Sequence, residues 1–165
     1  MATPTLTQER LKELLAYDPK TGVFTWRVNR RPTIQSGNVA GCSRRGYAII
    51  KIDQRIYLSH RLAWLYVYGC WPTQDIDHIN RVRSDNRLSN LRECSRAENC
   101  QNTAARLSNT SGHKGVSWVA KRQKWLAQIV INGKNVNLGR FAVLEDAVAA
   151  RHAAEVAHYT HAPRN

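Results

Sequence analysis

The sequence predicts an α+β protein made of small antiparallel sheets and a few helices, and three observations lead there. Strand-like runs are short and bounded by turn residues. Helical spacing appears in separate, capped stretches. A small polar run, Ser-Asn-Thr-Ser-Gly-His at 108–113, divides two regions of different pattern.

Residues 5–16 read as a first helix, capped by Thr7, with Leu6, Leu11, Leu14 and Leu15 as its apolar side. Tyr17-Asp18-Pro19-Lys20-Thr21-Gly22 is turn chemistry, and Val23–Val28 follows as a strand. Residues 29–46 form a basic loop with a short strand around Val39. Tyr47–Ile52 and Ile56–Ser59 are strands joined by a polar turn at Asp53-Gln54. His60–Tyr68 is a helix with Leu62, Leu65 and Tyr66 on one side, stopped by Gly69. Ser95-Arg96-Ala97-Glu98 fits a capping box and starts another helix. Residues 108–113 are expected to be a linker. Beyond them, Lys114–Val119, Lys124–Ile131 and Asn135–Phe141 read as three strands. The last two meet at Asn132-Gly133, a strong hairpin signal. A helix over about 143–159 places Ala147, Ala150, Ala154 and Ala157 on one stripe, small enough to lie close against a sheet. The organisation expected is therefore 1–59 as a basic, β-rich region, 60–107 as a core, 108–113 as linker, and 114–165 as a three-stranded sheet backed by one helix.

Charge narrows the partners. Of 165 residues, 25 are Lys or Arg and 12 are Asp or Glu, a net charge of +13. The excess is spread: 17 basic against 9 acidic in 1–107, and 8 against 3 in 108–165. A surplus across folded sequence points to a polyanion, first of all nucleic acid. An anionic membrane is the rival, but no long basic amphipathic helix appears, and no apolar run approaches the roughly 20 residues needed to span a bilayer. Met1-Ala-Thr-Pro4 lacks the charged start and apolar core of a secretory signal, so a cytoplasmic location is expected. Cys42, Cys70, Cys94 and Cys100 are then reduced thiols. There is no CxxC pair, and a zinc site from Cys94, Cys100 and two further ligands has weak support in the spacing.

The most informative stretch is Ile76-Asp77-His78-Ile79-Asn80, then Asp85-Asn86-Arg87-Leu88-Ser89-Asn90-Leu91-Arg92, then Glu98-Asn99. Phosphodiester hydrolysis needs a base to activate water and a cation to stabilise charge on phosphate and leaving oxygen. A neutral histidine suits the first task. A carboxylate with an amide oxygen suits a hard cation such as Mg2+, which keeps several waters. On extended backbone Asp77 and His78 point to opposite sides, so one can hold metal while the other meets water. A second strand with Asn90 could hold the imidazole, and a capped helix puts Asn99 one turn in. His60 reads as a buried or capping residue. Asn80, Asn86 and Asn102 read as turn and helix-end residues. Arg81, Arg83, Arg87 and Arg92 bracket the loop where a phosphate backbone would lie.

These motifs resemble the ββα-metal (His-Me finger) motif of phage and intron-homing HNH endonucleases, over about His60 to Asn102. The upstream YDPxTGxFTW…GY…HRLAWLYVYG is similar to the lead-in of phage members. The resemblance implies that Asp77 and Asn99 hold one divalent metal, Mg2+ or Mn2+, per active site, that His78 is the general base, and that Asn90 orients it. The third letter of the family name is filled by Asn99 rather than His.

Lys114-Gly115-Val116-Ser117-Trp118, Lys124–Ile129, Leu138-Gly139-Arg140-Phe141 and Glu145-Asp146-Ala147 resemble the DNA-binding domain of plant ethylene-response factors. That resemblance implies a three-stranded sheet laid in the major groove. The turn between its first two strands departs from the plant pattern, and several of that family's arginines are missing. Expected DNA contacts are Arg30, Arg31, Arg44 and Arg45 in the basic loop, with Lys114, Ser117, Trp118, Lys121, Arg122, Lys124, Gln128, Lys134 and Arg140 in the sheet module. Trp118 or Trp125 could instead be a core aromatic. The expected partner is double-stranded DNA, with the protein a monomer or homodimer. A non-cutting DNA-binding regulator on a nuclease-like scaffold is the alternative. RNA binding is disfavoured because few aromatic pairs are available for base stacking.

Overall fold

The computed structural model describes residues 6–103, 105 and 108–161, and Met1–Pro4, read above for a signal, lie outside them. The chain divides into two compact units, Met1–Ser95 and Arg96–Asn165.

The first unit opens with helix α1 (Gln8–Leu14), whose N-cap Thr7 accepts a hydrogen bond from the Arg10 amide at 3.2 Å. The helix is shorter than its periodicity suggests. Leu15 adopts extended backbone and begins strand β1 (Leu15–Asp18), which pairs antiparallel with β2 (Val23–Trp26). Leu15 is fully buried in the strand, and an apolar residue suits the inner side of either geometry, so the apolar pattern alone does not mark the switch. The basic loop is more structured than expected. Val39 bridges Thr25, and an unanticipated strand β3 (Cys42–Arg44) pairs with β4 (Tyr47–Ile52). All three residues of β3 are exposed, so it has no buried alternation to reveal it. Strand β5 (Arg55–Leu58) completes this sheet in the order β3-β4-β5. The turn between β4 and β5 has positive φ at both Asp53 and Gln54, the geometry that matches hairpin twist.

Helix α2 (Ser59–Tyr68) follows without a break and stops at Gly69, whose φ of 77° and amide bond to the Leu65 carbonyl form a left-handed cap. Its buried side is Ser59, His60, Leu62, Ala63 and Leu65. One apolar core, aliphatic and aromatic, joins α1, β1, β2, β4, α2 and the hairpin beyond, from Leu6 to Leu91, so no domain boundary falls near residue 59. The hairpin is β6 (Asp75–His78) and β7 (Leu91–Cys94), paired antiparallel, with a 3-10 turn at Leu88–Asn90 leading into β7.

The second unit begins with the short helix α3 (Arg96–Gln101). The 108–113 segment is not a bare linker. Ser111 is buried, with its hydroxyl within 2.7 Å of both Asn109 Oδ1 and the Val116 carbonyl. Strands β8 (Val116–Val119), β9 (Lys124–Ile131) and β10 (Lys134–Phe141) form an antiparallel sheet in the order β10-β9-β8, backed by α4 (Leu144–His158). Its core is small: Val116, Ala127 and Ala147 are buried, with Trp125, Leu138, Phe141, Leu144 and Val148 packed around them. Of the alanine stripe, Ala147 and Ala154 are buried while Ala157 is exposed at the helix end. The architecture is α+β, as the sequence predicts.

Candidate active site

Strand β6 ends on Asp77 and His78, and the register sets Asp77 opposite Arg92 and His78 opposite Leu91. Both site residues are buried, at 7% and 5% exposure. Burial of a carboxylate demands a partner, and Arg92 supplies it: Nε and Nη2 both donate to Asp77 Oδ2, at 3.0 and 2.7 Å. Arg92 therefore orients the carboxylate through this ion pair.

The His78 ring lies edge-on to His60, with centroids 5.0 Å apart, and 6.2 Å from the Tyr47 ring. Desolvation pushes His78 below the usual histidine range, against the opposing pull of its hydrogen bond to Asn86. It is therefore a neutral base near pH 7. Burial is more severe for His60, which is pushed down to about 3 and has no hydrogen-bond partner at Nδ1. His60 thus occupies a buried position, as expected, and its ring packs on the site histidine.

Asn90 does not serve the imidazole in the way the motif suggested. Its Oδ1 accepts from the Asn80 amide at 3.0 Å, and its Nδ2 donates to Asn80 Oδ1 and the Asp85 carbonyl at 2.9 and 2.8 Å. Its own carbonyl accepts from the Ile79 amide. With these bonds Asn90 ties the 79–85 loop closed behind β6. The hydrogen bond to His78 comes from Asn86, whose Oδ1 lies 3.2 Å from Nε2. Asn86 is 3% exposed, more buried than a turn residue needs to be. The sequence signal for it was weak, because Asp85-Asn86 reads as ordinary turn chemistry. Asn99 is half-buried on α3, in the second unit, and Asn102 is buried just beyond that helix.

The flanking arginines have distinct fates. Arg87 grips Asp85 with bonds of 2.8 and 2.6 Å and thereby lowers that carboxylate to about 2, while its own side chain stays half exposed. Arg83 lies over the Tyr47 ring at 4.9 Å. Arg30 stacks on Trp26 at 4.3 Å and donates to the Lys51 carbonyl. Arg31, Arg44, Arg45 and Arg81 are exposed on the first unit.

In the second unit the register sorts the expected contacts. Val116 pairs with the buried Ala127, so Trp118 and its partner Trp125 lie on the helix side, rings 5.0 Å apart. Trp118 is half-open at the sheet's end, on the side opposite to the one expected for a DNA contact. Lys134, opposite Ile131, shares that side. Lys114 bonds Thr103 Oγ1 at 2.8 Å and the Cys100 and Gln101 carbonyls, so it caps the C-terminal end of α3 instead of reaching outward. Ser117, Lys124, Gln128 and Arg140 occupy the outer face. Asn135 and Asn137 join them, and the sequence reading missed both. The Asn132-Gly133 turn fixes the register, so counting back from it would have found them. Lys121 and Arg122 are exposed on the 3-10 turn between β8 and β9.

Among the described residues no cluster of three His, Cys, Asp or Glu could hold a metal, and no helix is long and apolar enough to cross a membrane. None of the four cysteines is in a disulfide. Protein 3.8 of Escherichia phage T7 is 39% identical over 70 residues, which is 42% of this chain. The match spans 58% of that relative's length. No solved structure matches. Residues 57–101, from the end of β5 through the Asp77–His78 hairpin to α3, match the model of the HNH endonuclease family.

Proposed function

We propose that the protein is a metal-dependent DNA endonuclease of the phage or homing type. The observation that supports this most is a buried Asp77–His78 pair at the end of a β-hairpin strand, inside the matched HNH range. In this reading His78 accepts a proton from water as that water attacks phosphorus in line with the departing 3′ oxygen. The domain keeps the base neutral by burying it among His60, Tyr47 and Asn86. Asn90 keeps the loop shut, and Arg92 aims the Asp77 carboxylate.

By the motif, Asp77 would supply a carboxylate and Asn99 an amide oxygen to a cation, donor types that suit Mg2+ or Mn2+, which keep waters and take phosphate oxygens, rather than zinc. The two N–H bonds from Arg92 to Oδ2 are compatible with this, since a carboxylate offers about four lone-pair sites. The cation would stabilise charge on the phosphate and the leaving oxygen.

Double-stranded DNA is the proposed substrate. The exposed Arg31, Arg44, Arg45 and Arg81 would contact phosphate, and the outer face of the β8–β10 sheet would read base edges, in the manner of the ethylene-response-factor domain it resembles. A non-cutting DNA-binding regulator is the alternative. The ion pair favours it in one respect, because Arg92 already neutralises Asp77. A supercoiled-plasmid time course decides between them. Nicking or linearisation in Mg2+ or Mn2+, abolished by chelation and by His78→Ala with binding retained, is the expected result. Binding without cleavage in either metal would sink the nuclease reading.

A further inference from the structure

The turn between β1 and β2 lies far from Asn86 in sequence but packs on it in the first unit. Tyr17, 8% exposed, donates its hydroxyl to the Asn86 carbonyl at 2.7 Å. The Pro19 carbonyl accepts from the Leu88 amide at 3.0 Å. Asp18 organises the turn through bonds to the Lys20 amide and the Thr21 hydroxyl. Gly22, at φ +76°, lets the two backbones touch. A Cβ there would sit 2.4 Å from both Arg87 N and the Asn86 carbonyl carbon, a clash with main chain that cannot move aside.

The Asn86 amide has its own orientation fixed. Nδ2 donates to the Ser84 carbonyl at 3.3 Å, and a carbonyl can only accept. Oδ1 therefore faces the imidazole, and His78 Nε2 must carry the proton in the 3.2 Å bond between them. In the neutral ring Nδ1 then holds the lone pair. His60 and Tyr47 also meet the ring, by ring contacts, which have little directional preference.

We propose that Asn86, clamped by Tyr17 and Gly22 of the β1–β2 hairpin, is a positioning residue that sets the rotation and the tautomer of His78. This deepens the nuclease reading and rests on it for its catalytic meaning, but the tautomer itself can be measured without cleavage. The N-terminal hairpin is then part of the catalytic apparatus, and its turn sequence is constrained by the far side of the site.

The test uses the full chain with 15N-labelled histidine and two-bond proton–nitrogen correlations, His78 being assigned through His78→Gln. The unaltered protein is expected to show His78 as the Nε2–H tautomer. Asn86→Leu should produce a mixture with Nδ1–H, and Asn86→Asp, which keeps an acceptor, should retain Nε2–H. Tyr17→Phe leaves the ring in the core and should move the His78 signals partway. In parallel, the single-turnover rate on plasmid should fall about 100-fold in Asn86→Leu and about threefold in Tyr17→Phe, with the KM for DNA within about twofold. An unchanged Nε2–H tautomer in Asn86→Leu, or a shift to Nδ1–H in Asn86→Asp, overturns the role of Asn86. An unmoved His78 signal in Tyr17→Phe overturns the clamp. If no plasmid is cut by any form while the tautomer shifts as expected, the nuclease reading fails and the positioning inference stands.

Discussion

The two units bury different things. The first has a broad aliphatic core around Leu11, Leu15, Ile50, Ile52 and Leu62, and against that core it buries Asp77, His78, Asn86 and Asn90. The second has a core centred on Val116, Ala127 and Ala147, and its outer sheet face carries Ser117, Lys124, Gln128, Asn135, Asn137 and Arg140 beside Val119, Leu126 and Val130. A site that must keep a histidine neutral needs low dielectric and fixed partners, hence a large core. A surface that must meet another molecule needs a rigid support and little else. On the proposed function, the difference would separate the part of the chain that carries chemistry from the part that makes contact.

The largest effect expected is on chemistry. His78→Ala should lower plasmid cleavage by about 1,000-fold while DNA binding, read by gel shift, stays within a few tenths of a kcal/mol. A variant that loses binding in proportion would erase the contrast between the units. Next comes the core. Leu62 is fully buried, and Leu62→Ala should cost about 2–5 kcal/mol of stability in urea unfolding. Val116→Ala in the smaller core should cost only about 1–2 kcal/mol, so equal costs would argue against the asymmetry.

Acid should act on the first unit. His60 is held down to about 3 in the fold, against the usual histidine range in the unfolded chain. Its stabilising contribution is complete above pH 6.5 and is lost as the pH falls toward 3, because over that window the unfolded chain binds a proton that the fold rejects. The loss should be on the order of a few kcal/mol, and His78, shifted the same way, adds to it. Unfolding titrations of His60→Leu should show a shallower slope over the same window. At the open sheet the effect should fall on binding alone. Gln128→Ala or Arg140→Ala should weaken binding to a preferred site by about 1–3 kcal/mol without altering cleavage chemistry. Trp118→Ala, on the helix side, should change site preference far less.

Much of this molecule was legible in the chain itself. Covalent spacing and local propensity placed Thr7 as a cap, Gly69 as a stop, Asn132-Gly133 as a hairpin turn, and Asp77-His78 on extended backbone, since each depends on residues a few positions apart. What tertiary structure alone decided were matters of distant backbone. Leu15 becomes strand because Trp26 is there to pair with it. Arg92 becomes a carboxylate's partner because the hairpin register sets it opposite Asp77. Trp118 turns to the helix side because sheet register leaves it no other face, and Lys114 turns inward because three oxygen acceptors gather at the end of α3. The imidazole partner moves from Asn90 to Asn86 because a hydrogen bond is directional and short. Two asparagines four residues apart look alike in sequence, and only the fold of the loop around them selects which one reaches the ring.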